Sequence, residues 1–162
     1  MKFLNIFKTF YQFLEKNLPH SYSTLLNMIE LVSNLFSFKN DIEMTNLVTE
    51  NFILLCKIIK QDDIGHYVLK PILKFTTEDF QENERVISRC LGANLLGELA
   101  VILGQDYCNN FVISQLLYLA DDNKSEVRIS VARNLIKISE QVSFNIFEKK
   151  VLYIYKMYNK LI

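Results

Sequence analysis

One stretch of this chain has a second copy of itself upstream, and this internal repeat constrains the fold more than any other feature. Residues 119–138 match an upstream segment at a shift of 39 positions, which carries Arg128 onto Arg89. The first half of the repeated unit matches at a shift of 44 positions, which carries Gln105 onto Gln61. The two shifts differ because the segment 76–85 contains five extra residues. At the smaller shift the matched apolar pairs are Ala132 with Ala93, Leu135 with Leu96, and Ile138 with Leu99.

Repeated units of about 40 residues that contain two amphipathic helices are typical of HEAT-repeat solenoids. The sequence therefore predicts an all-α fold, a HEAT-repeat αα-superhelix of about eight helices, in a single domain covering residues 1–162. The predicted repeat units are 19–60, 65–103, 107–141 and a partial unit at 145–162. The predicted helices are 2–16, 19–36, 42–60, 65–76, 84–103, 107–120, 126–141 and 145–160.

Three local signals predict details of these helices. Asn40 with Glu43 three residues later resembles a capping box that opens the third helix. Pro71 lacks the N–H that would bond the carbonyl of Tyr67, so we expect a kink in the fourth helix. Gly104 predicts the end of the fifth helix.

The composition favours a folded protein and argues against an electrostatic grip on nucleic acid. Half of the residues are hydrophobic and only 22% are charged, which is outside the range of disordered chains. Eighteen basic residues balance eighteen acidic ones, and no long basic block occurs. Proteins that bind nucleic acid mainly through its phosphates need a basic surface, so we expect no nucleic-acid partner.

The N-terminal residues and the cysteines bear on location. Residues 1–15 contain no small-residue cleavage site, and Lys8 and Glu15 interrupt the apolar run, so we expect an amphipathic helix rather than a signal peptide. No window of about 18 apolar residues is present, so we expect no membrane partner. Three widely spaced cysteines indicate buried thiols in a reducing compartment. The expected location is cytoplasmic, and also nuclear.

Residues 121–132 start like a calcium-binding loop but lack its defining positions. Asp121, Asn123 and Ser125 alternate as the first calcium ligands do. Glu126 stands at the sixth position, where the loop needs glycine, and Ala132 stands at the twelfth, where a bidentate Glu is needed. The pattern therefore indicates a turn rather than a calcium site.

Other catalytic or metal-binding patterns are equally weak. His20 and His66 are the only histidines and neither is next to a cysteine, so the N and S ligands of a zinc site are missing. Cys90 and Cys108 have no nearby base that would activate them as nucleophiles. We expect no enzyme activity, no cofactor, no metal and no small-molecule substrate.

The polar turns between paired helices, at 38–41, 78–84 and 121–126, are the best functional candidates. In a solenoid such turns line up along one ridge, because each repeat is a translated copy of the last. We expect Asp122 and Arg128 to brace the last turn through a charge-assisted hydrogen bond. The candidate partner-binding residues are Lys39, Asn40, Phe80, Gln81, Asn83, Asn123, Lys124 and Glu126.

The second half of the chain resembles one family of HEAT proteins. The residues that carry the resemblance are Gly104-Gln105-Asp106, Leu117, Asp122, Val127-Arg128, Ala132, Leu135 and Ile138. Together they are similar to the C-terminal repeats of the scaffold (A) subunit of type 2A serine/threonine protein phosphatase. The resemblance implies a non-enzymatic scaffold whose turns hold the phosphatase catalytic subunit. This chain departs from the family in the longer turn at 76–85 and in Thr45, which stands where later repeats have arginine.

Two other functions fit a helical repeat. A generic HEAT adaptor, of the transport or coat type, would bind a different protein through the same architecture. An enzyme built on such a solenoid, for example one that repairs nucleic acid, would need a basic face with aromatic residues. The neutral charge balance and the absence of Trp argue against that enzyme.

Overall fold

The computed structural model describes residues 2–38, 41–77 and 82–159, and this part of the chain contains helices and turns but no strand. It confirms the all-α class and the expected eight helices. The helices are α1 (Lys2–Lys16), α2 (Leu18–Asn34, followed by a 3₁₀ turn at Leu35–Phe38), α3 (Ile42–Cys56), α4 (61–77), α5 (Glu82–Glu98), α6 (Ala100–Ala120), α7 (Ser125–Ser139) and α8 (144–159).

Helix α3 starts at the predicted residue 42, whereas α4 starts earlier than predicted. The side chain of Asp41 caps α3, because it accepts a hydrogen bond of 3.0 Å from the main-chain N–H of Met44. Asn40 itself lies outside the described residues. Helix α4 begins at Gln61, four residues before the predicted start, and places Asp62 and Asp63 in its first turn. Acidic side chains are favoured there by the positive end of the helix dipole.

Helices α4, α6 and α8 each contain one π turn, in which a main-chain N–H bonds the carbonyl five residues back. The π turns are Gly65–Leu69, Cys108–Val112 and Phe147–Val151. Their starting residues are separated by nearly the same intervals as the repeated sequence segments. The π turn of α4 therefore precedes Pro71. Similar π turns occur in α6 and α8, which contain no proline, so proline does not explain why the π turn recurs.

Gly104 interrupts α6 with a backbone that favours glycine. Its φ of 74° and ψ of 175° separate the short segment 100–103 from the rest of the helix. The sequence predicted that α5 would continue to this glycine. The main-chain N–H groups of Leu99 and Leu103 still bond the carbonyls four residues back, so helical hydrogen bonding continues past Glu98 to this glycine, as predicted. The axes of Val86–Glu98 and Ala100–Ala120 differ by 81°. Leu99, Ala100 and Leu103 are completely buried, so this part of the chain lies inside the core.

The chain divides into two compact units, Met1–Pro71 and Ile72–Ile162. In the first unit, Phe36 and Phe52 meet edge to face, with ring centroids 5.5 Å apart. Both rings are buried, and they complete a core that also contains Leu14, Leu25, Ile29 and Leu55. The aromatic contact adds to the apolar area that the two rings remove from water.

In the second unit, α5 and α7 lie side by side and run in the same direction. Paired side chains follow the same order along the chain: Arg89 of α5 with Asp122 in the turn before α7, then Asn94 with Asn134, and Glu98 with Lys137. Helix α6 joins α7 through the short turn 121–124. Parallel packing of equivalent helices is compatible with a helical repeat. The core beneath them contains Leu95, Leu96, Leu103, Leu116 and Leu135, all completely buried.

Within the described ranges, no single helix combines the length and apolar composition that would let it cross a membrane. Only α5 and α6 taken together have that composition, and they form a bent pair.

Candidate functional site

The turn between α6 and α7 is held by hydrogen bonds that converge on Asp122. The guanidinium of Arg89 donates to both carboxylate oxygens, from Nε at 2.6 Å and from Nη2 at 3.1 Å. The main-chain N–H of Lys124 donates to the same carboxylate at 2.9 Å. Arg128 donates from Nη1 to the main-chain carbonyl of Asp122 at 2.8 Å. Bidentate pairing of this kind fixes orientation as well as adding energy.

The bracing contact expected between Asp122 and Arg128 is present, but it differs from the expected one. Arg128 reaches the main-chain carbonyl, whereas the carboxylate accepts both bonds from Arg89 on α5. Arg89 is the copy of Arg128 in the repeated sequence, so the internal repeat contained the signal for this partner. The arginine of one sequence repeat thus binds the aspartate in the turn of the next sequence repeat. The pair is mostly buried, with side-chain exposures of 18% for Arg89 and 8% for Asp122.

The same turn exposes four consecutive polar residues to solvent. Asn123, Lys124, Ser125 and Glu126 are all exposed. Hydrogen bonds from its own main-chain N–H and from the Ser125 hydroxyl hold the pKa of Glu126 below its usual value. The turn therefore presents an amide, a cation and an anion on a fixed backbone.

The remaining predicted partner-binding residues lie either outside the described residues or in a helix. Lys39, Asn40, Phe80 and Gln81 lie outside the described residues. Asn83 was expected in a turn, but it lies in the first turn of α5, which begins at Glu82. Of the three predicted turns, the one at 121–126 is described in full.

The packing of α5 against α7 fixes where that turn stands. Asn134 donates to the side-chain oxygen of Asn94 at 2.9 Å and to the carbonyl of Ser130 at 2.9 Å. A Cβ placed on Gly97 would lie 2.2 Å from Oδ1 of Asn134. Close approach of the two helices therefore requires glycine at this position.

A second braced turn lies in the first unit, between α3 and α4. The hydroxyl of Tyr22 donates to Asp63 at 2.6 Å and accepts from the main-chain N–H of Lys60 at 3.0 Å. The ammonium of Lys60 lies 4.2 Å from the centre of the Tyr22 ring. Burial and the hydrogen bond to Asp63 raise the pKa of Tyr22 to about 12, so its hydroxyl stays protonated at neutral pH.

The cysteines and the acidic residues form no ligand cluster in the described part of the chain. No three His, Cys, Asp or Glu side chains converge there in a way that could hold a metal ion. Burial raises the pKa of the Cys56, Cys90 and Cys108 thiols, that of Cys108 to about 11. A thiol with a raised pKa is a weak nucleophile at neutral pH, because the reactive form is the thiolate.

Comparison of the chain with protein-family models, with curated protein sequences and with solved structures finds no match.

Proposed function

We propose that this protein is a non-enzymatic scaffold that binds the catalytic subunit of a type 2A-like serine/threonine phosphatase through the turns between its paired helices. The observation that carries the proposal is the turn at 121–126. Arg128 bonds its main chain and Arg89 bonds the Asp122 carboxylate, while Lys124 and Glu126 are exposed to solvent. Asp122 and Arg128 are also among the residues that carry the sequence resemblance to the phosphatase scaffold.

A braced turn is well suited to binding, because its backbone is already ordered before the partner arrives. Ordering a loop during association costs free energy, so a turn fixed in advance binds more tightly for the same contacts. Exposed charges of both signs then select a partner with the complementary arrangement and speed the encounter. The scaffold would act in the cytoplasm or the nucleus, where such phosphatases work.

The proposal is tested with the full chain and a purified type 2A catalytic subunit. The variant K124E/E126K reverses both charges of the turn and leaves the net charge unchanged. We expect it to weaken binding by about fivefold to tenfold, the effect of roughly 1 to 1.4 kcal/mol. Phe80→Ala, outside the described residues, should weaken binding further if the second turn contributes. The melting temperature should stay within a degree or two of wild type, because both charged side chains are exposed.

The matched control is E50K/K57E, which swaps the exposed charges of Glu50 in α3 and of Lys57 directly after it, in the other unit. This variant should bind as wild type does. If wild type and catalytic subunit do not associate at micromolar concentrations, the phosphatase proposal fails and the generic adaptor becomes the better hypothesis. Equal binding by K124E/E126K and wild type would show that the turn is not the binding surface.

A further inference from the structure

Four residues of α6 line up along one side of the helix and end next to the turn at 121–126. Tyr107, Phe111, Gln115 and Tyr118 occupy positions i, i+4, i+8 and i+11, which fall on one side of a helix, and we call them the α6 row. Phe111 is 49% exposed and Tyr118 is 66% exposed. The rings of Tyr107 and Phe111 are neighbours, with centroids 6.1 Å apart. The α6 row therefore presents aromatic surface to solvent.

The amide of Gln115 gives this row an unmet hydrogen-bond donor. Its Nε2 atom is buried and has no hydrogen-bond partner among the described residues, whereas the residue as a whole is only half-buried. Phe111 lies four residues before it and Tyr118 three residues after it, the spacings at which helical side chains are neighbours. A buried amide N–H normally has a partner, because leaving it without one costs free energy. The α6 row thus lacks an acceptor for this donor.

The α6 row is continuous with the turn at 121–126. The main-chain N–H of Asp121 donates to the carbonyl of Tyr118 at 3.3 Å, so Tyr118 stands where α6 enters the turn. A stable protein interface takes about 20 to 30 residues from each partner, far more than one turn supplies. A protein that binds the turn must therefore also cover surface next to it. Exposed tyrosine and phenylalanine suit that role, because aromatic residues are enriched at interfaces.

We propose that the α6 row extends the binding site at the turn, and that the partner anchors there through an apolar pocket and one hydrogen bond. The pocket receives Tyr118 and Phe111, and a carbonyl oxygen of the partner accepts the hydrogen bond from Nε2 of Gln115. Rotation about the terminal torsion of glutamine, which is broad, brings this donor to the surface. The inference rests on the proposed function, since its occupant is the phosphatase catalytic subunit.

Gln115 distinguishes a binding role from a structural one. In the free chain its amide N–H groups bond no described residue, so Q115M, which keeps the length of the side chain and removes the donor, should not lower the melting temperature. In the complex the same variant loses a hydrogen bond. We therefore expect its binding to the purified catalytic subunit to be about threefold to tenfold weaker than that of wild type. A residue that acted only in packing would show the opposite pattern.

The aromatic part of the row is tested with F111A/Y118A, which truncates two exposed rings. We expect at least about tenfold weaker binding, because a few aromatic anchors commonly contribute most of the binding energy of an interface. The matched control is F13A/L31A, which removes two apolar side chains of the first unit that are 57% and 61% exposed. The control should bind as wild type does, and circular dichroism would verify that each variant keeps its helicity.

One pattern of results would overturn this inference and leave the proposed function intact. In that pattern wild type binds the catalytic subunit and K124E/E126K weakens binding, but F111A/Y118A and Q115M bind as wild type does. The turn would then be the binding site without the α6 row.

Three other results would also contradict the inference. Equal loss of affinity in F111A/Y118A and F13A/L31A would show that the aromatic effect is not specific to the row. A concentration-dependent dimer of the wild-type chain, seen by sedimentation and lost in F111A/Y118A, would assign the row to a second copy. Failure of wild type to bind the catalytic subunit would remove the occupant and overturn the proposed function as well.

Discussion

The guanidinium of Arg89 holds both carboxylate oxygens of Asp122, although 33 residues separate them along the chain. This one contact ties the second helix of one repeated unit to the turn of the next. It therefore links the packing of α5 and α7 to the shape of the surface that we propose as a binding site.

We predict that Arg89 and Asp122 are energetically coupled. A double-mutant cycle with R89A and D122A, measured by urea denaturation, should give a coupling free energy of about 1–3 kcal/mol, because the paired charges are mostly buried. A cycle with R128A and D122A should give a smaller value, since Arg128 bonds the main-chain carbonyl that D122A retains. A coupling for Arg89 and Asp122 below about 0.3 kcal/mol would contradict the prediction.

Two adjacent residues of α7 should respond oppositely to truncation. Leu135 is completely buried, so Leu135→Ala should lower the free energy of unfolding by about 2–5 kcal/mol. Ile136 is 61% exposed, so Ile136→Ala should change it by less than about 0.5 kcal/mol. Equal losses in chemical denaturation would show that the packing of α7 differs from that described.

Gly97→Ala should destabilise the protein because the new methyl group would collide with Asn134. The ideal Cβ lies 2.4 Å from Cβ of Asn134 as well as 2.2 Å from its Oδ1. Asn134→Ala keeps its own Cβ and should leave most of the collision in place. Asn134→Gly should relieve it, so only the G97A/N134G pair should show a stabilising coupling in a thermodynamic cycle. Equal coupling for both pairs would place the collision elsewhere.

Stability at high pH should depend on Tyr22. Its pKa is raised to about 12 in the folded protein, above the value of 10.0 for a free tyrosine. The folded state therefore retains a proton that the unfolded state loses between these values. The contribution of Tyr22 is fully present below pH 10 and is lost as the pH rises through 12. The free energy of unfolding should fall less steeply over this range in Tyr22→Phe than in wild type, and matching slopes would contradict the assignment.

The sequence predicted the helices well because each buries one apolar face, and that periodicity is local. Eight helices and most of their ends could be located in this way. Local patterns were less informative about the start of α4, which lies four residues before the predicted one. The Arg89–Asp122 pair was missed for a different reason. The repeat identified Arg89 as the equivalent of Arg128, but only the packing of α5 against α7 shows which acidic group it reaches.

The break in the helix at Gly104 was predicted from the sequence. Glycine after an apolar helical run commonly marks a helix end, and the prediction placed the end of α5 there. The backbone leaves helical geometry at Gly104, as predicted, whereas the N–H groups of Leu99 and Leu103 still bond the carbonyls four residues back.

The π turns of α4, α6 and α8 set the rotational phase of each helix. A π turn accommodates one residue more than an α-helical turn. Deleting that residue would restore regular geometry but rotate everything beyond it by about 100° around the helix axis. In α6 this rotation would carry Ile113, Leu116 and Leu119, all completely buried, away from the interior. A one-residue deletion that makes the backbone regular would thus expose buried side chains. A chimera that exchanges segments among these three helices must therefore keep the extra residue.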